Sequence, residues 1–214
     1  MIQLAAVDTA EAMPLCVAAI ILAAGSSERM GRPKQLLPID GQPMLRHVTE
    51  AVCASGLDQV VVVLGAHAGT VQAALVGLPI EIVHNQAWRE GLSTSLRAGV
   101  GALRPDTGAV LVVLADQPAL TSNLLRQLVE RYRVTQAPIV APFYRGQRGN
   151  PVLFDRSLFP ELSAVYGDRG ARKVIERYAE QMEGVSCEDP AVVQDVDTLQ
   201  DYETVTATPG PGRE

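Results

Sequence analysis

The sequence predicts a single α/β domain of three layers, α/β/α, around an open and mostly parallel sheet. Three observations predict it. Apolar runs of strand length alternate with amphipathic helical patterns through the first two-thirds of the chain. The composition is 47% apolar yet contains only nine aromatic residues, so Ala, Val, Leu and Ile must build the core, as they do in buried parallel strands. A chain of 214 residues also buries roughly 70% of its extended surface, enough to fold without disulfides or a structural metal.

Each element follows in order. Cys16–Ala23 (CVAAIILA) is a continuous apolar run that leads into Gly25, as a buried strand leads into a turn. Met44, Leu45, Val48 and Val52 recur at helical spacing until Gly56 stops them. Residues 60–64 (VVVVL) form a second strand, 69–76 a helix and 80–83 a short strand. Leu92, Leu96, Val100 and Leu103 line one face of a helix that runs into Arg104-Pro105. Residues 110–114 (VLVVL) give the strongest strand signal. Thr121 or Ser122 then caps a helix whose face is Leu124, Leu125, Leu128, Val129 and Tyr132.

Beyond Pro138 the alternation loosens. Residues 139–141 and 151–154 read as short strands joined by the polar turn YRGQRGN. A helix at about 171–180 and a final short strand at 192–196 complete the chain. Residues 1–15 read as an N-terminal extension, 16–206 as the domain and 207–214 as a flexible tail.

Charge and cysteine content exclude several classes. Eighteen basic against 24 acidic residues give a net charge of −6, which argues against a broad nucleic-acid or acidic-membrane surface. Cys16, Cys53 and Cys187 are odd in number and form no CxxC pair or Cys/His cluster, so neither a zinc site nor a disulfide framework is indicated. They read as thiols in a reducing compartment, with Cys16 in a strand core. The longest apolar run covers nine residues, 17–25, far short of the ~20 that span a bilayer. The first fifteen residues carry no Lys or Arg and make a poor signal peptide. The chain therefore reads as cytoplasmic, with no nucleic-acid or membrane partner.

Ligands of open α/β sheets gather at the carboxyl ends of the strands. The first such loop, residues 22–43, reads LAAGSSERMGRPKQLLPIDGQP. Gly25, Ser26, Ser27 and Gly31 allow close backbone approach, and Arg29, Arg32 and Lys34 add three cations within six residues. Backbone donors beside Arg and Lys are what a polyphosphate needs. Two phosphate motifs fail here. Gly25 and Gly31 enclose five residues and are followed by Arg32, so this is no P-loop; Ser27 breaks a dinucleotide GxGxxG. On composition alone an ordinary polar loop with solvated cations fits equally well.

Asp116 follows the best strand, so it projects at the sheet's carboxyl edge, unless it merely caps the turn before Pro118. Asp195 and Asp197 alternate, and on a short strand they would point the same way. Mg²⁺ takes one or two such carboxylates together with substrate phosphates. Elsewhere local readings are plainer. Ser93, Thr94 and Ser95 sit at a helix start as potential caps, Trp88 reads as a packing residue and His67 as a solvated loop residue. Asp168 reads as a helix N-cap, and the helix end beside Arg169 and Arg172 could hold a phosphate.

The ordered string LAAGxSxRMGxxKQLLP resembles the signature loop of the MobA-like nucleotidyltransferases, and most closely that of the molybdenum cofactor cytidylyltransferases. The resemblance extends over about residues 17–202, through N…W…G…S-T-S-L, D-Q-P, R-G-N-P-V-L-F, G-D-R-G-A-R and D-V-D-T. It implies a Rossmann-like fold of the nucleotide-diphospho-sugar transferase type. It also implies Mg-dependent transfer of CMP from CTP to the terminal phosphate of Mo-molybdopterin, with release of pyrophosphate.

Residue by residue, the resemblance implies that Leu22, Ala23, Ala24, Gly25, Ser26, Ser27, Arg29, Met30, Gly31 and Lys34 wrap the nucleotide's triphosphate. Gly65, Asn85, Gly91, Ser93, Ser95, Ala115 and Asp116 complete the nucleotide site. Arg29, Lys34 and Asp116 are the catalytic residues, and Asp116 and Asp197 hold Mg²⁺. Gln117, Pro118, Gly149, Asn150, Pro151, Asp168, Gly170 and Arg172 flank the acceptor.

Ala24 stands where guanylyl-transferring relatives read LAGG, which leans toward CTP. Asn150 stands where His is commoner, and Leu199-Gln200 where Pro-Glu is common. The product would pass to an apo-molybdoenzyme or its chaperone. Two alternatives remain: a related transferase with GTP or ATP as donor or another phosphorylated acceptor, and a non-catalytic cofactor carrier.

Overall fold

The computed structural model describes residues 16–27 and 30–207. The extension 1–15, the tail beyond Ala207 and the expected catalytic Arg29 lie outside the described residues.

Among the described residues ten strands are present: β1 (Cys16–Ala23), β2 (Pro38–Ile39), β3 (Gln42–Pro43), β4 (Gln59–Leu64), β5 (Glu81–His84), β6 (Thr107–Leu114), β7 (Ile139–Tyr144), β8 (Gln147–Arg148), β9 (Val152–Asp155) and β10 (Met182–Cys187). Seven α-helices accompany them: α1 (Met44–Cys53), α2 (Ala68–Ala73), α3 (Leu92–Gly101), α4 (Ser122–Thr135), α5 (Phe159–Ser163), α6 (Arg172–Arg177) and α7 (Leu199–Ala207). The main sheet runs β10-β7-β9-β6-β1-β4-β5, with β8 paired to β7, while β2 and β3 form a separate hairpin. Parallel ladders join β1 to both β4 and β6, and β4 to β5.

The continuous apolar runs are explained by burial on both faces. Alternate β1 residues Val17, Ala19, Ile21 and Ala23 pack with α1, α2 and α4 through Leu45, Val48, Val71, Leu125 and Leu128. The intervening Ala18, Ile20 and Leu22 pack on the opposite face with Leu96, Leu162 and Val174 of α3, α5 and α6. Those two faces make the three layers. Thr121 caps α4 as expected, its hydroxyl accepting from the Leu124 amide at 3.2 Å.

Four local expectations are corrected, and two elements are added. The strand expected at 192–196 is absent: Asp189 accepts from the Ala191 amide at 2.9 Å, starting a 3-10 turn at Pro190–Val193. Val196 is apolar because it packs with Leu37, Ile39 and Met44, and Val192 lies against Gly149; neither sits in a ladder. The last strand is instead β10, parallel to β7, and its half-buried MEGVSC is too polar to register as a sheet strand. The closing helix α7 was likewise not foreseen. Ser93–Ser95 supply no cap, since Gly91 occupies the N-cap position of α3 without a side-chain bond. Asp168 caps nothing either; it lies inside the 3-10 turn Gly167–Arg169, ahead of α6. Cys16 is only half-buried at the start of β1.

The sheet is mixed on one side, where β9 runs antiparallel to both β6 and β7 and β8 runs antiparallel to β7. A third apolar cluster joins Met30, Leu37, Ile39 and Met44 to Val196, with Tyr202 and Val205 packed against it. The segment after β10 is thereby folded back onto the first loop, and Tyr202 Oη donates to the Pro38 carbonyl at 2.6 Å. Among the described residues no helix is long and apolar enough to cross a membrane.

Candidate active site

The carboxyl ends of β1 and β6 open into a cavity of about 590 Å³. Its walls include Leu22, Ala23, Ala24, Gly25 and Ser26 from the first loop, with Lys34, Ser95, Ala115 and Asp116 opposite. The loop's shape is set by Gln35, which is buried. Its amide donates to the carbonyls of Ala23 at 3.2 Å and Gly25 at 2.8 Å, bonding both to one side chain. Ser27 has a left-handed φ of 58°, and its hydroxyl accepts from the Lys34 amide at 3.0 Å. Gly31, at φ 64°, takes the same unusual region without a Cβ penalty. The result is a tight loop that delivers Lys34 into the cavity from the turn Lys34–Leu36.

Lys34 meets two carboxylates there. Its Nζ lies 2.6 Å from Asp116 Oδ2, 2.9 Å from Asp197 Oδ1 and 3.2 Å from the Val196 carbonyl. Burial works against this ammonium, but the Asp116 and Asp197 carboxylates hold it above the ordinary lysine range. The second Asp116 oxygen, Oδ1, is buried and accepts no hydrogen bond from the described residues. Asp195 points elsewhere and accepts from the Gln117 amide at 2.7 Å. The Val196 amide donates 2.9 Å to the Asp116 carbonyl, which fastens the incoming segment at the right height.

Two carboxylates converging on one point, one with a spare buried oxygen, fit a hard divalent cation that completes its shell with phosphates and water. Among the described residues no group of three or more His, Cys, Asp or Glu side chains could supply an all-protein cage.

On the other side of the cavity Asn85 organises the loop before α3. Its amide donates to Thr94 Oγ1 at 2.8 Å and Ser95 Oγ at 3.0 Å, and its carbonyl accepts from the Ala87 amide at 3.0 Å. Asn85 is a buried brace, while Ser95 and Gly91 line the cavity. Ser93 is fully buried and its hydroxyl has no partner. Gly65 is a contact point: a Cβ there would fall 2.6 Å from Trp88 Cβ and 2.8 Å from Ala24 Cβ. Trp88 therefore packs, as expected, and its ring also borders the cavity under the Arg89 guanidinium.

The residues expected around the acceptor are not gathered on one surface. Asp168 lines the main cavity beside Gly91, and Gly170 packs on Leu92. Gln117 and Asn150 instead line a second cavity of about 300 Å³, shared with Thr121, Asn123, Cys187 and Asp189. Pro118 and Pro151 are buried. Gly149 is a packing glycine, since a Cβ would lie 2.2 Å from the Val192 carbonyl oxygen.

Arg172 is exposed, and its charged neighbour is a residue not singled out from the sequence, Arg148. Arg148 is half-buried and donates to the Gly149 carbonyl at 2.9 Å. Burial and the adjacent Arg172 push it below the ordinary arginine range. Among the described residues neither arginine pairs with a carboxylate. The sequence signal was its position, directly before Gly149-Asn150-Pro151. Gln35 was missed as well, hidden beside the more conspicuous Lys34.

An α/β domain with a cation-bearing loop facing paired carboxylates defines a nucleotidyltransferase class of site. Residues 19–182 match the MobA-like NTP transferase domain, and the chain belongs to that family. Asp197 lies beyond the matched stretch. Over 194 residues the chain is 34% identical to the nicotine blue oxidoreductase of Paenarthrobacter nicotinovorans, covering 86% of this chain and 94% of that protein.

The crystal structure of Rv0371c from Mycobacterium tuberculosis H37Rv superposes with a TM-score of 0.82 at 29% identity, covering 92% of this chain and all of that one (100%). The complex of Rv0371c with manganese gives 0.78 at 27% identity, covering 90% and 99%. A nucleotidyl transferase from Methanothermobacter thermautotroptrophicus (Mth528) also gives 0.78, at 26% identity, covering 90% and 96%.

Proposed function

We propose that this protein transfers CMP from CTP to the terminal phosphate of Mo-molybdopterin, forming molybdopterin cytosine dinucleotide and pyrophosphate. The observation that carries the reading is the convergence of Lys34, Asp116 and Asp197 at the mouth of a nucleotide-sized cavity. A phosphate oxygen of the acceptor attacks the α-phosphorus in line, and the bond to the β-phosphate oxygen breaks. The nucleophile is already an anion, so no covalent enzyme intermediate is needed. What remains for the chain is positioning and charge neutralisation.

In this reading the loop from Leu22 to Gly31 holds the triphosphate, with Arg29 and Lys34 as its cations. Asp116 and Asp197 hold a divalent cation, taken as Mg²⁺, which supplies charge neutralisation at the phosphates when bound. The buried Ala24 methyl, backed by Gly65 and Trp88, narrows the pocket in favour of a pyrimidine. Arg148 and Arg172, lacking carboxylate partners among the described residues, suit the acceptor's phosphate. The reaction belongs to the cytoplasm, with delivery to an apo-molybdoenzyme or its chaperone.

Pyrophosphate release measured with CTP, GTP and ATP, each with and without Mo-molybdopterin, tests the proposal. Release confined to CTP plus Mo-molybdopterin is expected. A GTP preference sinks the cytidylyl assignment, and binding of the finished cofactor without turnover under any nucleotide makes the protein a carrier.

The similarity to nicotine blue oxidoreductase favours a second reading, in which the same loop holds the pyrophosphate of a dinucleotide hydride donor. The paired carboxylates weigh against it, because hydride transfer from a dinucleotide gives a divalent-cation position no role. Substrate-dependent oxidation of NADPH or NADH, without pyrophosphate release, would establish the second reading.

A further inference from the structure

The Lys34 ammonium has three oxygen neighbours from two separate segments: Asp116 Oδ2, Asp197 Oδ1 and the Val196 carbonyl, at 2.6, 2.9 and 3.2 Å. That is a cation's coordination set. It is also the set that the divalent metal of the reading above would require, since Asp116 and Asp197 can converge on only one such point. A lysine whose ammonium sits there cannot at the same time lie on the phosphates of a nucleotide. The main chain of Lys34 is fixed by its amide bond to Ser27 Oγ at 3.0 Å, so only the side chain is free to change position. Four methylenes give it that reach.

Resting on the nucleotidyl-transfer reading, we propose that Lys34 is a built-in surrogate for the divalent cation. In the nucleotide-free protein its ammonium occupies the cation position and keeps the two carboxylates from repelling one another. When a triphosphate enters, Lys34 turns to the phosphate oxygens and leaves Asp116 and Asp197 to the cation carried in with the nucleotide. The buried, unbonded Asp116 Oδ1 marks the part of the coordination that an ammonium leaves unfilled.

Two consequences follow. Free divalent metal binds weakly, because its apparent affinity is scaled down by the fraction of molecules in which Lys34 has left the position. Metal and nucleotide also reinforce each other's binding, since either one displaces the same side chain from the same place.

The test is a Mn²⁺ titration, followed by electron paramagnetic resonance of the free ion, on wild type, Lys34→Gln and Lys34→Gln/Asp116→Asn, with no nucleotide present. If the ammonium holds the position in nine molecules of ten, Lys34→Gln binds Mn²⁺ roughly tenfold more tightly than wild type. The double variant loses that gain. A non-hydrolysable CTP analogue tightens Mn²⁺ binding in wild type, and most of that coupling disappears in Lys34→Gln. Lys34→Met serves as a second variant, and a larger rise in melting temperature with Mn²⁺ than wild type shows is an independent readout.

Equal or weaker Mn²⁺ binding in folded Lys34→Gln overturns the proposal, as does a gain that survives Asp116→Asn. The failure of pyrophosphate release with every nucleotide is a separate result. It overturns the transferase reading while the nucleotide-free metal gain is read independently.

Discussion

The buried Gln35 side chain donates 2.8 Å to the Gly25 carbonyl and 3.2 Å to that of Ala23, so one amide pins the first loop where it leaves the sheet. Removing it leaves two carbonyls without their donor and a loop that must be ordered by the nucleotide itself. Gln35→Leu is expected to raise the KM for the nucleotide about tenfold, ~1.4 kcal/mol, in the range that losing both hydrogen bonds implies. Turnover at saturation should change less. An unchanged KM would show that the loop holds its shape without this residue.

Lys34→Ala and Asp116→Ala should each lower turnover by about 10²–10³, the usual consequence of deleting one preorganised charge at a developing anion. Both variants should still fold, since neither side chain belongs to the sheet's apolar packing. Pyrophosphate release and circular dichroism measured together check this. Near-wild-type release from either variant removes that residue from the chemistry.

Arg148→Gln should raise the KM for the phosphorylated acceptor about tenfold while leaving that for CTP unchanged, because a charge-assisted contact to phosphate is lost. The separation of the two KM values is the measurement. A parallel rise in both would place Arg148 in the general architecture of the loop and not at the acceptor.

Asp155 gives the fold a pH signature remote from the site. Burial alone would raise its carboxyl, but bonds from the Ser157 amide and hydroxyl and from Tyr132 Oη, at 2.8, 2.6 and 2.6 Å, hold it below the ordinary aspartate range. Burial and the same Asp155 push the Tyr132 phenol upward. The native state thus binds fewer protons at this residue than the unfolded chain, so stability rises with pH through this range. The contribution is fully present above the unfolded value of about 3.9 and is lost as pH falls through the depressed native one. Denaturant melts at several pH values should show this acid-side slope in wild type, and Asp155→Asn should flatten it.

The central strands and main helices were legible because both faces of β1, β4 and β6 are buried, which writes an uninterrupted apolar run into the sequence. The edge was not. In β10 one face meets solvent and Gly184 meets Phe143, so no run appears. Val192 and Val196 misled for the complementary reason, being buried by segments distant in sequence that the chain reaches only in three dimensions. At the site, Asp116 stood out as a charge just past a strand end and Lys34 as one of the cations of the loop after β1. Gln35 and Arg148 did not, because the burial of an amide or a guanidinium is set by how the chain packs around it and not by its local pattern. The grouping of the acceptor residues was the least legible part, since motif spacing places Asp168 and Asn150 in one third of the chain and the fold sends them to different cavities.

The contact between Lys34 and Asp197 closes a span of 163 residues. The seven-strand path of the main sheet is complete at Cys187, before Asp197 is reached. During synthesis on the ribosome the hydrophobic layers can therefore begin to assemble while Lys34 and Asp197 are still apart. The partner that closes around Lys34 arrives only afterwards, on a short stretch that adds no strand to the main sheet.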